Sequence, residues 1–207
     1  MKYIILCGSN HKTINGTPRQ LVQIHGERIL DRTIRLLREN GVDDINITAT
    51  DPAFDEVDAD LIPYNSAGPW INCFPKEGAP AVYIFGDVYF SPEAVRTIVE
   101  TLTDDIEFFA SAPPFAPNYP RKWAEPFAFK VANVQHFQEA IRDVRQLDSQ
   151  KIFRRDPIAW ELWQVIKGTP LNMIDYSNYV VINDYTCDID YKEDIKSLEE
   201  VLANGSP

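Results

Sequence analysis

The sequence predicts a single α/β domain with a mostly parallel sheet, because short apolar runs alternate along it with amphipathic segments. Within residues 2–50, a strand, a polar loop, a helix and a second strand follow one another. This βαβ order requires parallel pairing and a right-handed crossover. A strand and a helix repeat the order over residues 81–102. No internal repeat or low-complexity linker divides the 207 residues, so we expect one domain over residues 1–207.

The strands are predicted from short runs rich in β-branched and aromatic residues. They cover residues 2–7, 45–50, 81–85, 106–110, 127–131 and 179–182. The first run ends at Gly8, where a long polar loop begins, and the third ends at the Gly86-Asp87 pair. An acidic loop over residues 183–190 follows the last strand.

The helices are predicted from apolar residues that recur at a spacing of three and four. They cover residues 27–40, 94–102, 134–147, 157–166 and 193–202. Gly41 suits the end of the first helix, and Ser91 with Pro92 suits the start of the second. Residues 111–120 contain too many prolines for regular structure, which favours a surface excursion or a lid there.

Charge and cysteine content exclude several classes of protein. With 31 acidic and 20 basic residues the net charge is −11, so a nucleic acid is a poor candidate ligand. A chain of this length buries about 70% of its unfolded surface, so its core needs neither disulfides nor a structural metal. The three cysteines form no CxxC pair, and no apolar run approaches the ~20 residues of a membrane span. We expect a soluble, cytoplasmic protein without a membrane segment.

Candidate site residues follow the strand ends, where open α/β sheets bind ligands. The loop after the first strand offers Gly8, Lys12 and Arg19, a set able to neutralise a polyphosphate. Asp87 directly follows the third strand, and the acidic loop after the last strand carries Asp184, Asp188 and Asp190. Two cations and two acidic loops at one sheet edge indicate a site for a nucleotide bound through Mg²⁺, which takes one or two carboxylates together with phosphates.

Each of these features also has a purely structural interpretation. Lys12 and Arg19 are equally typical of solvated loop charges, and Asp87 is also suited to capping a turn before the next helix. Acids near a helix N-terminus are favoured by the helix dipole, which is an alternative for Asp188, Asp190 and Asp194. The three histidines have no metal-ligand spacing, so we assign them no catalytic role.

Four segments then resemble a known family in the right order. Residues 4–48 (IILCGSNHKTINGTPRQLVQIHGERILDRTIRLLRENGVDDINIT) resemble the N-terminal signature of nucleotidyltransferases with a glycosyltransferase-A-like, Rossmann-related fold, in which AAGxGxR precedes PKxL. The part PRQLVQIHGERILDRTIRLL is also similar to the methylerythritol-phosphate and phosphocholine cytidylyltransferases. GDVYFSPEAV resembles the segment with the family's strand-end metal aspartate, and CDIDYKEDIKSLEEVL resembles its closing segment.

The resemblance implies a fold and an activity. The fold is a Rossmann-like three-layer α/β/α sandwich with a mostly parallel mixed sheet, of the nucleotide-diphospho-sugar transferase type. The activity is Mg²⁺-dependent transfer of a nucleotidyl group from a nucleoside triphosphate to a phosphosugar or phospho-alcohol, as in nucleotide sugar biosynthesis, with release of pyrophosphate. The cytidylyltransferase-like segment weakly favours CTP as the donor.

The resemblance also implies roles for individual residues. Asp87 and Asp190 would hold the metal, with Asp188 as the substitute for either; Lys12 would bind the β- and γ-phosphates, and Arg19 the α-phosphate. The predicted nucleotide contacts are Gly8, Ser9 and Asn10 through backbone amides, and Asn65 and Ser66 at the base. Independently of the resemblance, Lys130 at the far end of a predicted strand is a candidate for contact with the acceptor phosphate, as are Arg121 and Lys122.

The signature loop departs from the family pattern in three places. Asn10 stands in place of the second glycine, Lys12 in place of an arginine and Arg19 in place of a lysine. Lysine and arginine differ in geometry and hydration, so the placement of the phosphates is expected to differ too. These departures leave a non-catalytic nucleotide-binding relative as an alternative. A sugar-nucleotide-dependent glycosyltransferase is a second alternative, because the fold and a metal aspartate do not fix the reaction.

Residues 111–174 match no motif of the family. We expect this region to build the acceptor pocket, because the signature segments lie outside it. Its proline-rich loop and its tryptophans are equally consistent with a lid or with the contact surface of a homodimer.

Overall fold

The computed structural model describes residues 1–8, 13–62, 69–75, 78–113 and 124–204. Seven strands form its main sheet, namely β1 (Lys2–Leu6), β6 (Ile45–Thr48), β7 (Asp60–Ile62), β8 (Ala81–Phe85), β10 (Ile106–Ala110), β11 (Pro126–Val131) and β12 (Val180–Val181). Six two-residue strands form small hairpins or ladders, namely β2 (Thr13–Ile14), β3 (Thr17–Pro18), β4 (Gln23–Ile24), β5 (Glu27–Arg28), β9 (Val88–Tyr89) and β13 (Cys187–Asp188). The helices are α1 (Ile29–Glu39), α2 (Pro92–Glu100), α3 (Val134–Ser149), α4 (Ala159–Lys167) and α5 (Lys192–Ala203).

The main sheet has the strand order β12-β10-β11-β8-β1-β6-β7. Only β11 runs antiparallel to its neighbours in this sheet, so the mostly parallel mixed sheet expected from the sequence is confirmed. The parallel strands β1, β6, β8 and β10 therefore end at one edge, which we call the C-terminal edge. Because β11 is reversed, it begins at that edge and ends at the opposite one.

Helices cover both faces of the sheet. Phe129 and Lys130 are neighbours on β11, so their side chains point to opposite faces. The Phe129 ring packs 5.8 Å from that of Phe137 on α3, whereas the Lys130 amine reaches backbone carbonyls of α2. Two helices thus lie on different sides of one strand, and the three-layer arrangement follows.

Aromatic side chains make up much of the core between the sheet and the helices α3 and α4. Tyr83, Phe129 and Phe108 are register partners on β8, β11 and β10. Phe108 stacks on Phe129 at 4.5 Å between ring centroids and meets the ring of Trp160 on α4 edge-on at 5.0 Å. These contacts pack α4 against the middle of β10 and β11.

Two short hairpins lie in the region after β1 where the sequence predicts a long polar loop. Asn15 and Gly16 connect β2 to β3, and His25 and Gly26 connect β4 to β5, with positive φ at all four residues. Such turns match the twist of a two-residue hairpin, and an Asn-Gly pair is their strongest sequence signal. The hairpins bracket a short helical turn, Arg19–Leu21, and so determine where Arg19 lies.

The five predicted helices and the six predicted strands are all present within a few residues of their expected bounds. The edge strand β7 and the pair β9 and β13 were not predicted, because runs of two or three residues carry too little periodicity. Ser91 caps α2 as expected, since its hydroxyl accepts from the backbone nitrogen of Ala94 at 2.9 Å. None of the helices in the described ranges is long and apolar enough to span a membrane.

Candidate functional site

Asp87 lies just beyond the C-terminal edge because it follows the end of β8, where the backbone at Gly86 passes close to β1. The backbone nitrogen of Gly86 donates to the carbonyl of Leu6 at 3.1 Å. A Cβ at Gly86 would lie 2.8 Å from the Cys7 sulfur and 2.9 Å from the Leu6 oxygen, so only glycine fits without a shift. The next residue, Asp87, is thereby held against the first loop.

Asp190 is brought to Asp87 by the short ladder between β13 and β9. Asp188 is the register partner of Val88, and the backbone nitrogen of Ile189 donates to the carbonyl of Asp87 at 2.9 Å. The two acidic loops therefore run side by side, which sequence spacing alone did not reveal.

Arg19 connects the two acidic loops. Its Nη2 lies 2.6 Å from Asp87 Oδ2, and its Nη1 contacts Asp190 Oδ1. The Arg19 side chain is only 5% exposed, whereas those of Asp87 and Asp190 are 18% and 34% exposed. Three of the predicted site residues thus form one cluster, with the cation inside and the carboxylates toward solvent.

Two buried thiols lie within the electrostatic influence of this cluster. Burial raises the pKa of the Cys7 and Cys73 thiols well above the ordinary value, and the negative charge of Asp87 raises both further. Both thiols therefore stay protonated near neutral pH and are not suited to act as nucleophiles.

The other acidic residues near β13 have structural roles. The carboxylate of Asp194 accepts from the backbone nitrogens of Asp190 and Tyr191, at 2.9 and 2.8 Å, at the start of α5. Asp184 accepts from the hydroxyl of Ser91 at 2.5 Å and from the backbone nitrogen of Thr186 at 2.7 Å. The helix-terminus interpretation is therefore correct for Asp194.

Asp188 is held by a residue that the sequence analysis missed. Its backbone nitrogen donates to Glu125 Oε2 at 2.8 Å, and Glu125 is only 6% exposed. Glu125 precedes β11 and belongs to no motif, so no sequence signal distinguished it from a surface acid.

Lys130 does not join the site, which corrects its assignment to the acceptor phosphate. It pairs with Val82 at the start of β8, at the edge opposite the site. Its Nζ donates to the carbonyls of Ile98 and Val99 at 3.0 and 2.8 Å, and burial lowers its pKa. The reversed direction of β11, which the sequence did not predict, accounts for this placement.

The remaining predicted contacts are only partly within the described residues. Gly8 directly follows Cys7 at the C-terminal edge. Seven predicted residues lie outside the described ranges, and their roles stay predictions: Ser9, Asn10, Lys12, Asn65, Ser66, Arg121 and Lys122.

The donor set fits a magnesium ion that is also held by a ligand. Asp87 and Asp190 both approach one cationic group, and each has a second carboxylate oxygen that these two contacts do not use. The described residues contain no group of three or more His, Cys, Asp or Glu side chains placed to hold a metal. Two carboxylates completed by phosphate oxygens and water are a usual environment of Mg²⁺.

Comparisons with known proteins identify solved structures of the same fold. No family model matches the chain, and no curated protein matches it. A proposed glucose-1-phosphate thymidylyltransferase from Bacillus anthracis, in complex with sucrose, is similar with a TM-score of 0.63 and 14% identity, over 100% of this chain and 96% of that one.

Two further structures cover nearly all of both chains. HddC from Yersinia pseudotuberculosis, complexed with GMP-PN, has a TM-score of 0.57 and 15% identity over 97% of this chain and 99% of that one. The CTP:phosphocholine cytidylyltransferase LicC from Streptococcus pneumoniae has a TM-score of 0.55 and 18% identity over 97% and 98%. The chain therefore has the α/β fold of solved nucleotidyltransferases, as the resemblance of its signature segments implied.

Proposed function

We propose that this chain is a nucleotidyltransferase that uses Mg²⁺, a nucleoside triphosphate and a small phosphorylated acceptor. A phosphate oxygen of the acceptor attacks the α-phosphorus, the bond from that phosphorus to the β-bridging oxygen breaks, and pyrophosphate leaves. The observation that carries the proposal is the contact of Arg19 with both Asp87 and Asp190 at the C-terminal edge. It joins the cation that we assign to phosphate to the two carboxylates that we assign to the metal, in a chain with the fold of LicC.

Such a displacement requires no nucleophilic side chain. Phosphoryl-type transfers are catalysed mainly by positioning and by neutralisation of charge. The guanidinium of Arg19 is planar and can bind a phosphate through two parallel hydrogen bonds. We assign it to the α-phosphate, because it lies beside the two carboxylates.

Asp87 and Asp190 are the residues proposed to hold the metal, with Asp188 as the reserve ligand. When bound, Mg²⁺ would neutralise charge on the phosphate oxygens and on the leaving pyrophosphate. The chain's own contribution is to hold the two carboxylates at fixed positions through the ladder of β9 and β13.

The other contacts follow the similarity to the family. Lys12 is proposed for the β- and γ-phosphates, and the backbone of residues 8–10 for the nucleotide. Asn65 and Ser66 are proposed for the base, and Arg121 and Lys122 for the acceptor phosphate. With Lys130 at the opposite edge, the proposed acceptor cations are limited to this last pair.

The proposed donor is CTP and the proposed acceptor a phosphosugar or phospho-alcohol. The similarity of residues 18–37 to cytidylyltransferases supports the donor, and so does the name of LicC. Residues 111–174 are proposed to shape the acceptor pocket, with a lid or homodimer contact as the alternative. We propose a cytoplasmic enzyme, because the three cysteines form neither a CxxC pair nor a disulfide.

Pyrophosphate release is the measurement that tests the function. The protein is incubated with Mg²⁺, a panel of sugar and polyol phosphates, and each of CTP, UTP, GTP, ATP and dTTP in turn. Release with one base would establish the reaction and name the donor. Release of a nucleoside diphosphate from sugar nucleotides would indicate the glycosyltransferase instead, and binding without turnover would indicate the non-catalytic relative.

Two variants connect the reaction to the site. We expect Asp87→Asn to lower kcat/KM by at least about 100-fold with the fold intact, since it removes a charged metal ligand. Asp143→Asn makes the same change at an exposed aspartate of α3 and should retain the wild-type rate. A wild-type rate in Asp87→Asn would contradict the proposed metal site.

A further inference from the structure

We propose that Arg19 is an internal counter-ion that keeps a free divalent cation off Asp87 and Asp190 and admits it only together with the nucleotide's phosphates. This inference rests on the proposed function, because it assigns the order in which the same site takes up metal and nucleotide. It concerns the protein before substrate arrives, which the proposed reaction leaves open.

The geometry places one cation between the two carboxylates. Asp87 contacts Nη2 of Arg19 and Asp190 contacts Nη1, so one guanidinium serves both acids at once. The guanidinium is almost fully buried, while both carboxylates are partly exposed. A metal that arrives from solvent therefore meets two carboxylates whose combined charge is already half compensated by the buried guanidinium.

The charge balance opposes binding of the metal alone. One guanidinium and two carboxylates sum to a single negative charge. A divalent cation added to this cluster would make it positive and would lie close to the guanidinium, where repulsion is strong because burial limits screening by water. The negative charges of a triphosphate reverse that balance, so the metal and the nucleotide enter together.

Arg19 has the bonding capacity to exchange partners. A guanidinium carries five N–H donors, and within the described residues its Nε makes no hydrogen bond. Phosphate oxygens offer the same two-pronged acceptor geometry as the carboxylates. When phosphates take over the guanidinium, the carboxylate oxygens that it occupied become available to the metal.

The arginine itself matters to this mechanism. A lysine at this position would have to serve both acids from a single nitrogen, because an ammonium is a compact point charge without a planar fork of donors. The fork of Arg19 contacts Asp87 and Asp190 through separate nitrogens. Arginine at residue 19 is therefore expected to exclude free metal more strongly than lysine would.

Binding of Mn²⁺, measured by the loss of the electron paramagnetic resonance signal of the free ion, tests the proposal without turnover. We compare the wild type, Arg19→Met and Arg19→Lys, each alone and with analogues of CTP, UTP, GTP, ATP and dTTP whose α,β-bridge is methylene. For Arg19→Met we expect at least 10-fold tighter Mn²⁺ binding alone and at least 10-fold weaker binding of the Mn²⁺-nucleotide complex, on the order of 1.4 kcal/mol each in opposite directions. Arg19→Lys should lie between the wild type and Arg19→Met.

Controls keep the test decisive. Arg38→Met removes an exposed arginine that is paired with Asp58, and it should change neither affinity. Circular dichroism and thermal unfolding establish that each variant is folded. If Arg19→Met does not fold, the test rests on Arg19→Lys, which retains a positive charge. In that event, Arg19→Lys must still bind free Mn²⁺ more tightly than the wild type.

The outcomes separate this proposal from the proposed function. Opposite shifts in Arg19→Met would support both. Equal affinity for free Mn²⁺ in the wild type and both Arg19 variants would overturn the counter-ion role, while nucleotide binding by the wild type would leave the proposed function in place. Tighter Mn²⁺ binding in Arg19→Met, with no binding of any nucleotide by the wild type, would overturn the coupling and the proposed function together.

Discussion

Glu125 accepts a hydrogen bond of 2.8 Å from the backbone nitrogen of Asp188. The backbone of Glu125 is itself fixed, because its nitrogen donates to the hydroxyl of Ser111 at 2.9 Å and its carbonyl accepts from the nitrogen of Ser111 at 3.0 Å. A buried acid thus joins the end of β10 to β13, and Asp190 follows the end of β13 by two residues. We infer that Glu125 positions Asp190 and takes no part in the chemistry.

Replacement of Glu125 should separate positioning from charge. Glu125→Ala removes the acceptor, and we expect it to lower the free energy of unfolding by about 1–3 kcal/mol and to reduce kcat/KM. Glu125→Gln keeps an oxygen at the same reach and should retain most of both quantities. Urea unfolding and steady-state kinetics measure the two effects. A glutamine variant as impaired as the alanine variant would show that the charge, and not the hydrogen bond, is what matters.

A methyl group at Gly86 should displace the neighbouring residue, Asp87. The added Cβ would lie 2.8 Å from the Cys7 sulfur and 2.9 Å from the Leu6 carbonyl oxygen, and the latter belongs to the central strand β1. We expect Gly86→Ala to lower the free energy of unfolding by about 1–3 kcal/mol and to displace Asp87, with a loss of activity.

Gly78 provides the matched control for this change. A Cβ there would meet no atom within 4 Å, so Gly78→Ala should leave both stability and activity near the wild type. Thermal unfolding and pyrophosphate release compare the two variants. Equal behaviour of Gly86→Ala and Gly78→Ala would show that the close approach of β8 to β1 imposes no constraint.

The main elements of the fold were predictable because their sequences are locally consistent. Residues 81–85 and 106–110 are short apolar runs, and the structure has strands there with the same bounds. Arg19 and the aspartates at positions 87 and 190 could be chosen as candidate site residues from the rule that ligands bind at strand ends, together with the resemblance. Their mutual contact could not be predicted, because it depends on the ladder of β9 and β13, whose strands have two residues each.

The errors have one topological cause. Lys130 was assigned to the site because it stands at the end of a predicted strand, and a strand end is a site only if the strand runs parallel to the others. β11 is antiparallel to β8 and β10, so its end lies at the opposite edge and its start, near Glu125, lies at the site. Strand direction is set by long-range pairing, which is not encoded in local periodicity. The reversed direction of β11 explains why Glu125 was not predicted to lie near the site and why Lys130 was predicted to lie there.

Alkaline pH should destabilise the protein through its buried thiols. Burial, and next the charge of Asp87, raise the pKa of the Cys7 and Cys73 thiols well above the ordinary value. A group with a raised folded pKa keeps its proton in the folded state and loses it in the unfolded state, so stability falls as the pH rises past about 8.5, the unfolded pKa. The loss should approach about 1.4 kcal/mol per pH unit for each thiol.

The thiol contribution is measured as a difference between two proteins. The free energy of urea unfolding is determined from pH 7 to pH 10 for the wild type and for Cys7→Ala/Cys73→Ala, which retains the buried tyrosines and Lys130. We expect a steeper decline in the wild type. Parallel curves would mean that the two thiols ionise at their ordinary pKa in the folded protein.

Lys130 is expected to be a structural residue and not a substrate ligand. Its Nζ donates to the carbonyls of Ile98 and Val99 in the last turn of α2. A positive charge at this end of a helix also interacts favourably with the helix dipole. Lys130→Met removes the donor but keeps an apolar stem of similar length, so the buried carbonyl of Ile98 and the partly buried carbonyl of Val99 lose this partner. The free energy of unfolding should fall by about 1–3 kcal/mol, while the KM for nucleotide and for acceptor should stay within about 2-fold of the wild type. Urea unfolding and steady-state kinetics on the same preparation check both parts. A rise of 10-fold or more in the acceptor KM, with stability unchanged, would return Lys130 to the acceptor site and would contradict the placement of β11.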